Sequence, residues 1–96
     1  MQEFENAKAE SRLVVIDFTA SWCGPCQMIA PKYEAMAAKF PEVSFYKVDV
    51  DDQDDVAHAC GISAMPTFQF YKGGKKVDEM KGADEAKLLS LVQKYM

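Results

Sequence analysis

Leu13-Val14-Val15-Ile16-Asp17-Phe18 is a nearly continuous apolar run, and it constrains the fold more than any other segment. A strand with one wet face alternates apolar and polar residues. A run that is apolar at both parities belongs to a strand buried on both faces, as in a parallel sheet covered by helices. Such a strand needs partners, and the chain supplies them. Val43 to Val50 is a second β-branched and aromatic run. Between the two, Trp22 to Lys39 carries Met28, Ile29, Tyr33, Met36 and Ala37, with Phe40 directly after it, at helical spacing. Pro31 inside that stretch predicts a kink, because it removes one backbone donor and crowds the Gln27 carbonyl.

The remaining punctuation completes the order of elements. Residues 3–10 are compatible with a short helix, and residues 52–60 with another, after the acidic stretch Asp49 to Asp55. Thr67 to Tyr71 and Lys75 to Met80 flank Lys72-Gly73-Gly74, a hairpin signal, since Gly-Gly supplies the positive φ that primed turns require. Asp84 is placed to cap a last helix with Leu88, Leu89, Val92 and Tyr95 on its inner face. Strands separated by helices give a parallel sheet, and the late hairpin adds an antiparallel pair. The fold class is therefore α/β, with a central mixed sheet flanked by helices. With 96 residues and 49% hydrophobic content, the whole of 1–96 reads as one domain with a core of its own.

Composition excludes several function classes. The net charge of −4 argues against nucleic acid or an anionic membrane as the main partner. No apolar run approaches the roughly 18 residues of a membrane span. Met1-Gln2-Glu3-Phe4-Glu5 is acidic, with no leader-like apolar segment. Three cysteines, Cys23, Cys26 and Cys60, are too few for a disulfide scaffold and point to a reducing compartment. In that setting a closely spaced pair is catalytic or metal-binding.

Cys23-Gly24-Pro25-Cys26 sits where the first strand ends and the long helix begins, the usual place for a site in an open α/β sheet. Spacing i, i+3 in a first helical turn puts both sulfurs on one face, within reach of a disulfide. Pro25 suits the first turn, where no helical partner awaits its missing N–H. A thiolate there is stabilised by free N–H groups and the positive end of the helix dipole. Cys23 is accordingly expected to be the exposed nucleophile, and Cys26, one turn in, the shielded resolving thiol. The alternative is half of a zinc site completed by His58 and Cys60, although zinc sites usually pair two such knuckles. Otherwise His58 is a helix-surface residue and Cys60 a partly buried small apolar one.

Asp17 is the second signal, because it interrupts the apolar strand. A buried carboxylate costs several kcal/mol unless protonated or paired. It reads either as a strand-end residue that finds water or a cap, or as a carboxyl of raised pKa that relays a proton to and from Cys26. Lys47, in the neighbouring strand, is the candidate charge partner. Pro66, after Met65, is by itself compatible with a plain trans proline opening a strand.

Together these segments resemble the thioredoxin family, in particular its small cytosolic eukaryotic members. The likeness rests on residues 14–26 ending in Trp22-Cys23-Gly24-Pro25-Cys26, on 45–51, on Ala64-Met65-Pro66-Thr67-Phe68 and on Gly82-Ala83, in the family's order. The resemblance implies a cis Pro66 beside the disulfide and a Met65 backbone that pairs with an extended substrate. It implies an apolar docking rim of Trp22, Gly24, Pro25, Met65, Pro66, Gly82 and Ala83. It also implies reduction of protein disulfides, of peroxiredoxin-type or reductase-type clients for example, with recycling by thioredoxin reductase. NADPH is then used through the reductase, and no cofactor or metal is held. A cytoplasmic monomer is expected. As a general property of thioredoxins rather than a value for this chain, the active cysteine has a pKa of about 7 against roughly 8.5 for a free thiol, and the pair a potential of about −270 mV. Two departures stand out. Gln53 and Ala64 occupy places where some animal members carry extra cysteines, so a second disulfide within the chain is not expected. Only about a dozen residues precede Leu13, so the family's first edge strand is expected to be missing or vestigial, which would leave 43–50 as an edge. A redox-insensitive subunit of a larger complex and a structural zinc protein are the competing functions.

Overall fold

The computed structural model describes residues 12–51 and 65–96. The helices expected over 3–10 and 52–60, the vestigial first strand, His58 and Cys60 lie outside the described residues. Six elements follow in order: β1 (Val14–Thr19), α1 (Gly24–Lys39), β2 (Ser44–Asp49), β3 (Thr67–Lys72), β4 (Lys75–Lys81) and α2 (Glu85–Tyr95). The described strands form one mixed sheet in the order β2-β1-β3-β4. β1 pairs in parallel with β2 and antiparallel with β3, and β3 pairs antiparallel with β4. The doubly apolar run is thus a central strand, and all six of its residues are buried.

Alternation along β1 divides the core. Leu13 and Val15 point to the face covered by Ile29, Tyr33 and Met36 of α1 and by Leu88 and Val92 of α2, with Phe68, Phe70 and Met80 between them. Val14, Ile16 and Phe18 point the other way, into a cluster with Tyr71. Asp17 shares the parity of Val15 and so belongs to the helix-covered face.

α1 runs unbroken through Pro31. Its buried stripe is Cys26, Ile29, Tyr33 and Met36, with Phe40 closing it at the C-cap. Met28, which helical spacing groups with the core, instead stands 74% exposed. The stripe advances in steps of three and four, and Met28 lies one residue, about 100°, off it. The hairpin turn is as read: Gly73 and Gly74 have φ of 64° and 81°, the left-handed pair that a two-residue primed turn needs. Asp84 caps α2 by accepting the Lys87 N–H at 3.1 Å.

Candidate active site

The site is built where β1 hands over to α1. Thr19 ends the strand, and the Ala20 carbonyl then accepts two bonds, from the Cys23 N–H at 3.1 Å and from the Gln27 side-chain amide at 2.9 Å. These fix the turn that presents Cys23 as N-cap of α1. Its backbone is extended (φ −90°, ψ 109°), and Cys23 Sγ accepts the Cys26 N–H at 3.2 Å. A sulfur therefore fills the capping position where Ser or Asp would usually place an oxygen.

Cys23 and Cys26 are joined in a disulfide, with Cα atoms 5.3 Å apart. In this form the two sulfurs are committed to each other. Cys23 is not broadly exposed, as the sequence led one to expect; it is 6% accessible against 1% for Cys26. The ranking of the two cysteines holds, but little of Cys23 is open to solvent. Ala20, Cys23 and Cys26 pack together with Val50 and Met65 around them.

Of the residues expected to form the rim, the structure ties some together by bonds, and for the others it gives their exposure. The Met65–Pro66 bond is cis. The Pro66 carbonyl accepts the Gly82 N–H at 2.8 Å, which joins the loop before β3 to the end of β4. Gly82 has φ 99°, a conformation that favours glycine. Trp22 is 66% exposed, and its indole N–H donates to Asp51 Oδ2 at 2.9 Å. Gly24, Pro25 and Ala83 are exposed, Gly82 and Met65 half-buried, and Pro66 buried.

Asp17 is 1% exposed, and neither carboxylate oxygen has a hydrogen-bond partner among the described residues. Burial, opposed by the charge of Lys47, raises its pKa from 3.8 to about 7. Lys47 stands opposite Asp17 in the parallel register, yet it is exposed and gives the carboxylate no hydrogen bond. Lys47 therefore acts on Asp17 as a charge through space and not through a hydrogen bond, its long stem reaching toward water.

Three contacts carry no signal in the sequence. Gln27 holds the turn, Asp51 orients Trp22, and Tyr33 ties α1 to the sheet. The Tyr33 hydroxyl donates to the Tyr46 carbonyl at 2.6 Å and lies 3.1 Å from that of Val15. Its pKa is held well above 10 by burial and then by the charge of Asp17. A buried phenol and an exposed indole each seek a polar partner, so a partner is foreseeable in kind; its identity is not. Functionally, the assembly offers a sulfur pair at a helix N-terminus, an apolar opening, and an ionisable carboxyl in the core beside α1.

Comparison with known proteins agrees with this arrangement. The sequence profile described as Thioredoxin matches residues 1–94. A thioredoxin of Geodia cydonium is 62% identical over 87 residues, covering 90% of this chain and 82% of its own. One of Ophiophagus hannah is 51% identical over 92 residues, covering 96% and 88%. Among solved structures, Plasmodium falciparum thioredoxin superposes with a TM-score of 0.95 at 42% identity, covering 100% of this chain and 94% of that one. A chain solved in a study of thiol resolution in yeast mitochondrial 1-Cys peroxiredoxin via the glutathione/thioredoxin systems gives 0.93 at 36% identity, covering 98% and 89%.

Proposed function

The chain belongs to the thioredoxin family and is a protein dithiol–disulfide oxidoreductase, and on that premise we propose that it works as a reductant whose dithiol is restored by thioredoxin reductase. The observation that carries the reading is the sulfur cap: Sγ of Cys23, the more accessible of the two cysteines, already receives the Cys26 N–H at the positive end of α1. A thiolate at that atom inherits the same bond and the helix dipole. Cys23 attacks a client disulfide, its Sγ bonding to one client sulfur while the other leaves as a thiolate and takes a proton. Cys26 then loses its proton, for which the buried Asp17 carboxylate is the acceptor. The Cys26 thiolate attacks Cys23 Sγ, releasing the second client thiol and leaving the Cys23–Cys26 disulfide. Two electrons have passed to the client.

The Gly24-Pro25 pair favours this direction. Against partners near −180 mV, a pair near −270 mV donates electrons with roughly 4 kcal/mol in hand. Electrons return from NADPH through the reductase, so no cofactor need bind this chain. A reducing compartment, the cytoplasm, suits a pair of this kind. Clients are proteins with an accessible disulfide, peroxiredoxins and reductases among them, met by a monomer at the rim of Trp22, Met65, Pro66, Gly82 and Ala83. The test is reduction of a model protein disulfide by the dithiol form, with NADPH and thioredoxin reductase supplied in a second arm. Cys23→Ser is expected to abolish turnover, and Cys26→Ser to accumulate a mixed disulfide. Turnover that survives Cys23→Ser overturns the assignment, and failure of the reductase arm alone overturns the recycling route.

A further inference from the structure

Next to the rim, the outer side of α1 and the start of α2 enclose a shallow cavity of about 70 Å³, lined by Met28, Ile29, Lys32, Ala83 and Glu85. Nothing in the reduction cycle uses it. Ile29 is buried in the core, and Met28 projects beside it into solvent. Across the opening, Lys32 Nζ and Glu85 Oε1 are 3.3 Å apart, their side chains 54% and 50% exposed. We propose that this cavity is a side-chain subsite selecting an uncharged aliphatic residue next to the client's reacting cysteine, with Lys32 and Glu85 as its specificity-determining pair. The inference rests on the disulfide-reducing reading of Cys23 and Cys26.

Three observations lead to that occupant. The first is continuity, because Ala83 belongs both to the rim and to the cavity wall. Met28 is five residues beyond Cys23, about 7.5 Å along the helix. An extended client chain rises about 3.3 Å per residue. A client residue two or three positions from the reacting cysteine therefore reaches the cavity. The second is size. About 10–15 Å³ of such volume holds one water, so 70 Å³ accepts roughly five heavy atoms, the scale of a valine or leucine side chain.

The third is charge. Lys32 and Glu85 neutralise each other, so neither demands a counter-charge from the client. A charged client residue would break the pair or enter without a partner. A half-exposed pair of this kind adds little to stability, so its members can be replaced without unfolding the protein. Removing one member leaves the other to recruit the opposite charge, and specificity is reset by a single side chain.

The test uses the dithiol form of the full chain and a set of peptide disulfides. These carry Leu, Ser, Glu or Lys at one position at a time, within three residues on either side of the reacting cysteine. Each kcat/KM is taken relative to the same protein's value for the Ser peptide. At one position the wild type is expected to favour Leu over Glu and Lys by about tenfold, the scale of a small apolar pocket. Glu85→Ala should raise the Glu peptide at that position by about fivefold relative to Leu. Lys32→Ala should do the same for the Lys peptide, and the double variant should return to a preference for Leu. An unchanged rank order in all three variants overturns the subsite. If the wild type reduces none of the peptides, the disulfide-reducing reading fails, and the subsite falls with it.

Discussion

At the scale of single residues, the most unusual environment belongs to Asp17, whose carboxylate oxygens are enclosed without a hydrogen-bond partner among the described residues. Its pKa is raised from 3.8 to about 7 by burial, so between those pH values the folded protein holds a proton that the unfolded chain has released. Stability from this group is complete below pH 4 and is lost as pH rises to about 7. At about 1.36 kcal/mol per pH unit, the loss amounts to about 4 kcal/mol above pH 7. Asp17→Asn keeps the shape and removes the titration. Urea denaturation at several pH values should show the variant about 4 kcal/mol more stable at pH 8 and nearly equal to wild type at pH 3. Parallel curves would exclude Asp17 as the source of the pH dependence. On the proposed role of Asp17 as acceptor of the Cys26 proton, the variant should also slow the resolving step.

At the scale of elements, caps and turns carry the argument. Asp84 receives the Lys87 N–H at the start of α2, so Asp84→Ala should cost about 1 kcal/mol in chemical denaturation. Gly82 is held at φ 99°, and a Cβ added there meets nothing within 4 Å. Its replacement is therefore opposed by the backbone alone. Gly82→Ala should cost about 1–2 kcal/mol, and it should weaken client binding because Gly82 is bonded to Pro66. The Asp84 cap and the Gly73-Gly74 turn are legible in the sequence because each is local, whereas the conformation of Gly82 and its bond to Pro66 are not. The Cys23–Cys26 site is legible for the same reason, since strand end, nucleophile and helix start are consecutive. What stays hidden depends on tertiary geometry. Trp22 and Asp51 are 29 residues apart, and no local pattern pairs them. The parallel register sets Lys47 opposite Asp17 as expected, and its charge acts on the carboxyl, but that it does so without a hydrogen bond is not written in the spacing. Met28 reads as a core residue because one methionine in an apolar helix does not reveal which side of the stripe it occupies.

At the scale of the whole molecule, oxidation state and stability are coupled. The Cys23–Cys26 link spans a sequence separation of three, and closing so small a loop removes about 2 kcal/mol of unfolded-state entropy. At a fixed pH the oxidised protein should therefore be about 2 kcal/mol more stable than the reduced one by urea denaturation. Equal midpoints would count against that coupling. The sheet order β2-β1-β3-β4 puts the reactive turn at the end of a central strand, anchored on both sides. Little of the frame then has to move when the sulfurs exchange partners. The Cys26 N–H aimed at Cys23 Sγ has a consequence here. One bond closes the helix end while the sulfurs are joined and solvates the anion once they part. The site thus carries its own solvent shell through the reaction, already oriented for both of its charge states. Electron delivery then demands little reorganisation of the surroundings, and the pair can run in either direction, with the partner deciding which.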